Sequence, residues 1–357
     1  MKKFFCPAAA VLAALIVSCA AFDFTTGSAG GGFNAESNSV NRSRSGGITI
    51  YTSMYGDVIE DIERALSRYF PNIQIQFNSG GTGIIQTQIE NEIAAGGRLG
   101  CDLILVADPS YSMELKERGL LHQYFSSEAS SLVFDYDPQG YWYPVRVSNM
   151  VLAYNPERTP RNTLPDSFYA FANDQSLRGF ISMSSPITSG TSLASIAALK
   201  EKYGYDYFTA LGRQNVSIDS GAIALGKLET GEFKMVMVLE ESILKMRAEE
   251  RSKLDIIYPS DGTIVIPSTI MIVNEKWSAH GNIETAQAIT DWFLSEEGQN
   301  AIVAGWMHSV RKNGRIPYNS KQTSEITANS MPLNWEALNA DKEIFRMRFE
   351  ESVFYRN

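Results

Sequence analysis

The sequence predicts an α/β fold with a mainly parallel sheet, arranged as two lobes that a pair of strands joins. Short apolar strands alternate with amphipathic helices from Ile48 onward, which is the pattern of such folds. The chain leaves its first unit near Tyr154 and returns to it near Ile264, so it crosses between the units twice. Two crossings make a two-strand hinge, about which the lobes can close on a ligand in the cleft.

Alternating apolar residues define the strands of the first unit, and apolar residues three and four apart define its helices. The predicted strands are 48–51, 73–77, 102–106, 142–145 and 150–154, and the predicted helices are 57–69, 83–95 and 113–119. Pro71 stops the first of these helices, and Gly119 is a typical end for the third.

The same patterns continue through the second unit and back into the first. They predict helices at 168–172, 193–203, 205–214, 223–230 and 283–294, and strands at 181–183, 235–238 and 270–273, with 264–267 as the return crossing. Lobe 1 is therefore expected at 47–152 plus 265–310, and lobe 2 at 153–264. The tail, 311–357, is expected to pack on a lobe through a helix near 335–349.

The first nineteen residues resemble a bacterial lipoprotein signal. Lys2 and Lys3 precede an apolar run, which ends at Ile16-Val17-Ser18 before Cys19. The run is too short for a membrane span, which takes about 20 apolar residues. We expect 1–18 to be removed, Cys19 to carry lipid, and 19–46 to be a flexible linker. The lipid would anchor the protein on the periplasmic or cell-surface side of a bacterial membrane. An ordinary secretory signal with a chance cysteine is the alternative.

The composition excludes several functions. The formal charge is −9, from 31 basic and 40 acidic residues, and without a basic cluster such a surface repels nucleic acid. The three histidines, His122, His280 and His308, are far apart, and Cys101 is expected to be a buried apolar residue. We expect no cofactor, no bound metal, and a monomer.

Several small polar loops follow predicted strands and precede helices. Glycines let a ligand approach the backbone, and helix starts offer unpaired N–H groups with a partial positive charge. Ligands of open α/β sheets lie at these strand ends. The candidate residues for an anion site are Ser53, Ser79, Gly80, Gly81, Thr82, Ser189, Gly190, Thr191 and Ser220. Each loop alone is equally typical of a capped helix start.

Charged residues near the same strand ends complete the candidate site. Arg146 lies in an apolar context, so it either pairs with a protein carboxylate or binds an acidic ligand. Glu240 and Glu241 follow a strand and are positioned for ligand hydroxyls, or else for the start of a helix. Asp108 follows another strand, where capping of the next helix is an equal alternative. No nucleophile–base pair is evident, so an enzyme is not expected.

The chain resembles the extracellular solute-binding proteins of bacterial ABC importers. The segments that carry the resemblance are ITIYTS (48–53), SGGTG (79–83), DLILVAD (102–108), VRV (145–147), PITSGTS (186–192), YPSDGT (258–263) and FLSEEGQ (293–299). This resemblance implies the periplasmic-binding-protein fold, a ligand in the inter-lobe cleft, and delivery to a membrane permease.

Within that family the sequence is similar to the subgroup that binds ferric iron, hexose phosphates or phosphonates. The iron binders carry adjacent tyrosines after the strand equivalent to 235–238, where this chain has Leu239-Glu240-Glu241-Ser242. A phosphate ester or phosphonate therefore fits better than ferric iron, which stays the alternative. A surface lipoprotein without a transport role, or a ligand sensor, is the second alternative.

Overall fold

Strands and helices alternate along the chain as the apolar spacing predicts. The computed structural model describes residues 44–355, so Cys19 and the predicted signal lie outside the described residues. The strands are β1 Gly46–Thr52, β2 Ile73–Ser79, β3 Leu103–Val106, β4 Trp142–Tyr154, β5 Ile181–Met183, β6 Ser217–Ile218, β7 Met235–Leu239, β8 Asp255–Ile257 and β9 Ile264–Ile272. The helices are α1 Gly56–Tyr69, α2 Thr82–Ala94, α3 Pro109–Glu117, α4 Phe168–Asn173, α5 Gly190–Tyr203, α6 Asp206–Arg213, α7 Gly221–Thr230, α8 Glu240–Glu249, α9 Ile283–Leu294, α10 Glu296–Ala304, α11 Thr323–Ala328 and α12 Trp335–Val353.

One continuous sheet runs through the described residues in the order β2-β1-β3-β9-β4-β7-β5-β6. Its two ends, β2-β1-β3 and β7-β5-β6, are parallel. Between them, β9 and β4 pair antiparallel along most of their length. These two long strands connect the parallel ends. We call β1–β3 with α1–α3, α9 and α10 lobe 1, and β5–β7 with α4–α8 lobe 2.

Each lobe has apolar side chains on both faces of its part of the sheet. In lobe 1, Ile48 and Ile50 pack with α1, α9 and α10 on one face, while Tyr51 packs with α2 and α3 on the other. Successive residues of a strand point to opposite faces, so β1 serves both clusters. Lobe 2 likewise has two clusters, one against α4, α5 and α6 and one against α7 and α8.

The two connecting strands are longer than predicted. The sequence predicts separate strands at 142–145 and 150–154, but β4 is continuous over thirteen residues. The β4–β9 register shifts between Pro144 and Arg146, because an irregularity there takes up one residue without ending the strand. The predicted break at 268–269 is likewise absent, since β9 runs without interruption to Ile272.

Several helices start earlier than predicted or were not predicted, α5 and α11 among them. α3 begins at Pro109 instead of residue 113, because the Asp108 side chain caps it and Pro109 occupies the first turn. α10 was not predicted, although the Ser295 side chain caps it by accepting the Gly298 N–H. α8 was predicted only as a possible helix start at Glu240.

The C-terminal helix α12 packs its apolar residues into the lobe 2 cluster that contains α5 and α6. Those residues are Leu338, Phe345, Phe349 and Val353. Gly212 on α6 makes the approach close, because a Cβ there would lie 2.1 Å from the carbonyl oxygen of Ser352. Among the described residues, no helix has the length and apolar character needed to cross a membrane.

Candidate functional site

The loops at the carboxyl ends of the parallel strands meet where the two lobes touch. The Gly83 N–H, in the first turn of α2, donates a hydrogen bond to the Thr188 carbonyl oxygen of lobe 2 at 3.1 Å. A Cβ on Gly190 would lie 2.7 Å from the Ala107 carbonyl oxygen and 2.8 Å from Thr82 Cβ. The structure thus brings Thr82 and Gly190, both predicted site residues, into contact across the lobes.

Glycine is required along this contact, which we call the seam: Gly81–Gly83 of lobe 1 against Ile187–Thr188 of lobe 2. A Cβ on Gly81 would lie 2.5 Å from the Thr188 oxygen, and one on Gly83 would lie 2.2 Å from the Ile187 oxygen. Real Cβ atoms do not approach backbone oxygens so closely. The seam can therefore form only because glycine has no side chain at these positions. With the seam formed, the lobes are closed in this structure.

Gly83→Ala is expected to favour separation of the lobes. The added methyl group overpacks the seam by about 1–3 kcal/mol, which corresponds to a closed population about 5- to 150-fold lower relative to the open one. The radius of gyration from small-angle scattering should rise. The control is Gly97→Ala, since no atom lies within 4 Å of a Cβ at that position. An unchanged radius in Gly83→Ala would contradict this interpretation of the seam.

A second set of contacts joins the lobes through α8. Lys245 on α8 forms an ion pair with Asp57 on α1. The Trp306 indole N–H, just after α10, donates to Glu249 Oε1 at 3.1 Å. Trp306 has φ 67°, a conformation that is costly for a residue with a side chain and that recurs at ligand clamps. The closed arrangement is therefore held on more than one side.

Some predicted site residues cap helices. Asp108 is 2% exposed, and its carboxylate accepts hydrogen bonds from Gln86 Nε2 at 2.8 Å and from Ser110 Oγ at 2.5 Å. Ser189 caps α5 and lies 3.0 Å from Thr191 Oγ1. Capping is thus one role of Asp108 and Ser189, as the sequence allowed.

The remaining predicted loop residues differ in their contacts and in their exposure. Ser53 Oγ accepts the Ala107 N–H at 3.2 Å, which connects the ends of β1 and β3. Ser220 caps α7 and is exposed, and Ser79 is exposed at the end of β2, followed by Gly80. The structure therefore gathers Ser53, Thr82 and Gly190 closely and leaves Ser79 and Ser220 at the surface.

Arg146 is a buried cation at the centre of this region. It is 3% exposed, and its Nη2 lies 3.5 Å from both the carbonyl oxygen and Oγ of Ser53. Its Nη1 lies 2.7 Å from Met307 Sδ and 4.0 Å from Glu241 Oε1. Its Nε has no hydrogen-bond partner among the described residues. Burial lowers the pKa of Arg146, and the Glu241 carboxylate opposes that effect.

Glu241 is the acidic residue beside Arg146. Its Oε1 accepts a hydrogen bond from Ser148 Oγ at 2.7 Å. Burial raises the pKa of Glu241, while Arg146 and Ser148 act in the opposite direction. Tyr55, from the β1–α1 loop, contacts Ser242, which follows Glu241 in the sequence. An aromatic residue of lobe 1 thus reaches α8. This group combines one cation with one carboxyl whose neutral form is favoured by burial.

Glu240 lies in a separate network with its oxygens occupied by protein groups. Oε2 lies 3.2 Å from Asn149 Nδ2 and 3.0 Å from His308 Nε2, and the Tyr258 hydroxyl donates to Oε1. His308 Nδ1 lies 3.0 Å from Thr323 Oγ1. Glu240 therefore ties α8 to β4 and to the segment before α11, while its neighbour Glu241 faces Arg146.

Several residues of this region carry no signal in the sequence. Tyr55, Ser148 and Met307 were not predicted, and Met307 is 161 residues from the Arg146 that it contacts. Residues so far apart are brought together only by the tertiary fold. No group of three His, Cys, Asp or Glu residues is placed to hold a metal ion in the described part of the chain.

The comparisons with known proteins identify the family. A family model of the bacterial extracellular solute-binding proteins matches residues 101–341. The chain belongs to this family. Its members are solute-binding components of ABC importers rather than enzymes, and they act on the extracytoplasmic side. A comparison with curated proteins gave no match.

Solved structures confirm the two-lobed periplasmic-binding-protein fold. AfuA from Actinobacillus pleuropneumoniae with fructose-6-phosphate bound has a TM-score of 0.75 at 19% identity, covering 86% of this chain and 98% of AfuA. Iron-bound HitA from Pseudomonas aeruginosa has a TM-score of 0.73 at 22% identity, covering 85% of this chain and 99% of HitA. A periplasmic thiamin-binding protein has a TM-score of 0.73 at 17% identity, covering 86% of this chain and 96% of its own.

Proposed function

We propose that this solute-binding protein captures a small anionic ligand between its lobes and delivers it to a membrane permease. The ligand we favour is a phosphate ester, such as a sugar phosphate, or a phosphonate. The observation that carries the proposal is Arg146, a buried cation whose Nε is unpartnered and whose nearest carboxylate oxygen is 4.0 Å away. A buried cation with spare donors is well suited to an oxyanion, which guanidinium groups bind through two parallel hydrogen bonds.

The helix starts of α2 and α5 are further candidate donors. The first turns of α2 and α5 meet near the seam, and each carries backbone N–H groups with a partial positive charge. Hydroxyls of Ser53, Thr82, Ser189 and Thr191 are further candidate donors to ligand oxygens. The proposed ligand-binding set is completed by Ser79, Gly80, Gly81, Gly190 and Ser220. Of these, Ser79 and Ser220 are exposed, whereas Gly81 and Gly190 lie in the contact between the lobes.

The two glutamates take different parts in this proposal. Glu241 lies beside Arg146, and burial raises its pKa, an effect that Arg146 and Ser148 oppose. It would help to hold the Arg146 guanidinium in place for the ligand. Glu240 already accepts three hydrogen bonds from protein groups. In this closed arrangement Glu240 would act by positioning α8, and a direct bond to a sugar hydroxyl requires one of its partners to yield.

Calorimetric titration with a defined panel tests the ligand class. The panel is fructose 6-phosphate, glucose 6-phosphate, a simple alkylphosphonate, ferric citrate and thiamin. We expect heat from at least one phosphate ester or phosphonate and none from thiamin, whose charge is positive. Ferric iron favours hard oxygen ligands, phenolates among them, and 239–242 contains no tyrosine to supply a phenolate. Binding of ferric citrate alone would contradict the proposal and favour the iron alternative.

We further propose that lipid on Cys19 anchors the protein, as a monomer, to the periplasmic or cell-surface side of a bacterial membrane. The support is the leader with Lys2, Lys3 and the Ile16-Val17-Ser18 sequence before Cys19. Cys19→Ser should move the protein from the membrane fraction to the soluble fraction and abolish incorporation of labelled palmitate. The control is Cys6→Ser, which changes a cysteine within the leader. Membrane retention of Cys19→Ser would contradict lipid anchoring.

A further inference from the structure

The C-terminal helix α12 makes two chemically different contacts with the two lobes. Its apolar side, through Phe345, Phe349 and Val353, belongs to the lobe 2 core. The ring of Phe349 packs edge-on against Phe208 of α6 with centroids 5.7 Å apart. Apolar burial of this kind is lost only when the helix itself detaches. α12 is therefore firmly part of lobe 2.

The contacts of α12 with lobe 1 are polar. Lys342 forms an ion pair with Glu114 on α3, and its Nζ lies 5.6 Å from the centre of the Tyr111 ring. Arg346 Nη2 lies 3.5 Å from Gln86 Oε1 on α2, and its Nε lies 3.4 Å from the carbonyl oxygen of Pro186 in lobe 2. Lys342 and Glu114 are only 19% and 25% exposed, so their attraction is screened less than that of a surface pair.

These polar contacts lie beside the seam. Gln86 is one helical turn from Gly83, whose N–H bonds across the lobes to Thr188, and Pro186 directly precedes Ile187–Thr188. Gln86 also donates to Asp108, at the start of α3. Separation of the lobes here would break the Lys342 and Arg346 contacts with lobe 1, while the apolar contacts of α12 with lobe 2 would persist.

We propose that α12 is a latch, carried by lobe 2, that stabilises the closed arrangement by holding α3 and α2 of lobe 1 through Lys342 and Arg346. These contacts then contribute to the free-energy difference between the closed and open forms. The latch shifts the open–closed equilibrium toward the closed form whichever solute is bound. The inference does not rest on the proposed ligand. The family match ends at residue 341, so Lys342 and Arg346 lie beyond the matched residues.

Amide hydrogen exchange of the full-length protein in detergent, without added ligand, tests the latch. The Gly83 amide is the reporter, because its hydrogen bond crosses the seam and does not lie within α2. Lys342→Gln removes the ion pair with Glu114. The matched control is Arg348→Gln, which removes an equal charge from the same helix, but Arg348 pairs with Glu351 of α12 and not with lobe 1.

Gly83 exchange should be about two- to fivefold faster in Lys342→Gln, while α12 amides and the Arg348→Gln protein stay unchanged. Lys342→Glu should raise the rate further, because it places a carboxylate beside Glu114. Equal Gly83 exchange in Lys342→Gln and Arg348→Gln would overturn the proposal. Faster exchange of Gly83 together with α12 would also overturn it, because the helix would then be unfolding.

Discussion

Arg146→Met is expected to lower the affinity for the phosphate ester that the panel identifies, with fructose 6-phosphate as the first probe, by about 100-fold or more. The change removes the buried guanidinium while keeping most of its apolar volume. Losing one partner of a desolvated charge pair costs about 2–5 kcal/mol in binding, most of it through faster dissociation. Calorimetry and stopped-flow dissociation rates provide the measurement.

Two controls separate this loss from general effects. Arg348→Met removes an exposed cation and should leave affinity unchanged, which tests the influence of net charge. Arg146→Lys keeps the charge without the planar pair of donors and should retain part of the affinity. Circular dichroism checks that Arg146→Met is folded, because the substitution leaves the buried Glu241 without its cation. A folded Arg146→Met protein that binds within threefold of the original would contradict the assigned role.

Glu240→Ala is expected to have the largest effect on stability, lowering the free energy of unfolding by about 3–5 kcal/mol. The substitution leaves the hydrogen-bonding groups of Asn149, His308 and Tyr258 without their shared acceptor in a site where Glu240 is 1% exposed. Unpaired buried donors carry their full desolvation cost. Denaturant unfolding, followed by far-ultraviolet circular dichroism, measures the change.

The matched control for this substitution is Glu250→Ala, at the exposed C-terminal end of the same helix α8. It should change the free energy of unfolding by about 0.5 kcal/mol or less. Glu240→Gln keeps the shape of the side chain and one acceptor oxygen. Its loss of unfolding free energy should therefore lie between the losses of Glu240→Ala and Glu250→Ala. A Glu240→Ala protein within 1 kcal/mol of the original would mean that the network around Glu240 contributes little.

Periodicity was sufficient to predict most of the fold. The bounds of β1, β2, β5, β7, α1 and α9 lie within a residue or two of the prediction. Their apolar residues follow the strand or helix period without interruption. The long connecting strands were predicted in pieces. Pro144 and the polar Ser148-Asn149 interrupt the apolar pattern of β4, and only the irregularity seen in the β4–β9 register explains why the strand continues.

The candidate site was predictable only in part. Gly/Ser/Thr loops after strands marked Thr82 and Gly190, because local sequence decides where a strand ends and a helix begins. The partners of the charged residues were not predictable. Glu240 meets His308 across 68 residues, and Arg146 meets Met307 across 161, through the packing of helices from both parts of the chain. The contacts of α12 with lobe 1 have the same origin.

The proposed ligand site at Arg146 is tested most directly by a crystal structure of the protein with fructose 6-phosphate, or with the ester that calorimetry selects. We expect closed lobes with the phosphate within hydrogen-bond distance of the Arg146 guanidinium, between the first turns of α2 and α5. A ligand whose acidic group lies away from Arg146, or a metal ion between the lobes in its place, would contradict this expectation.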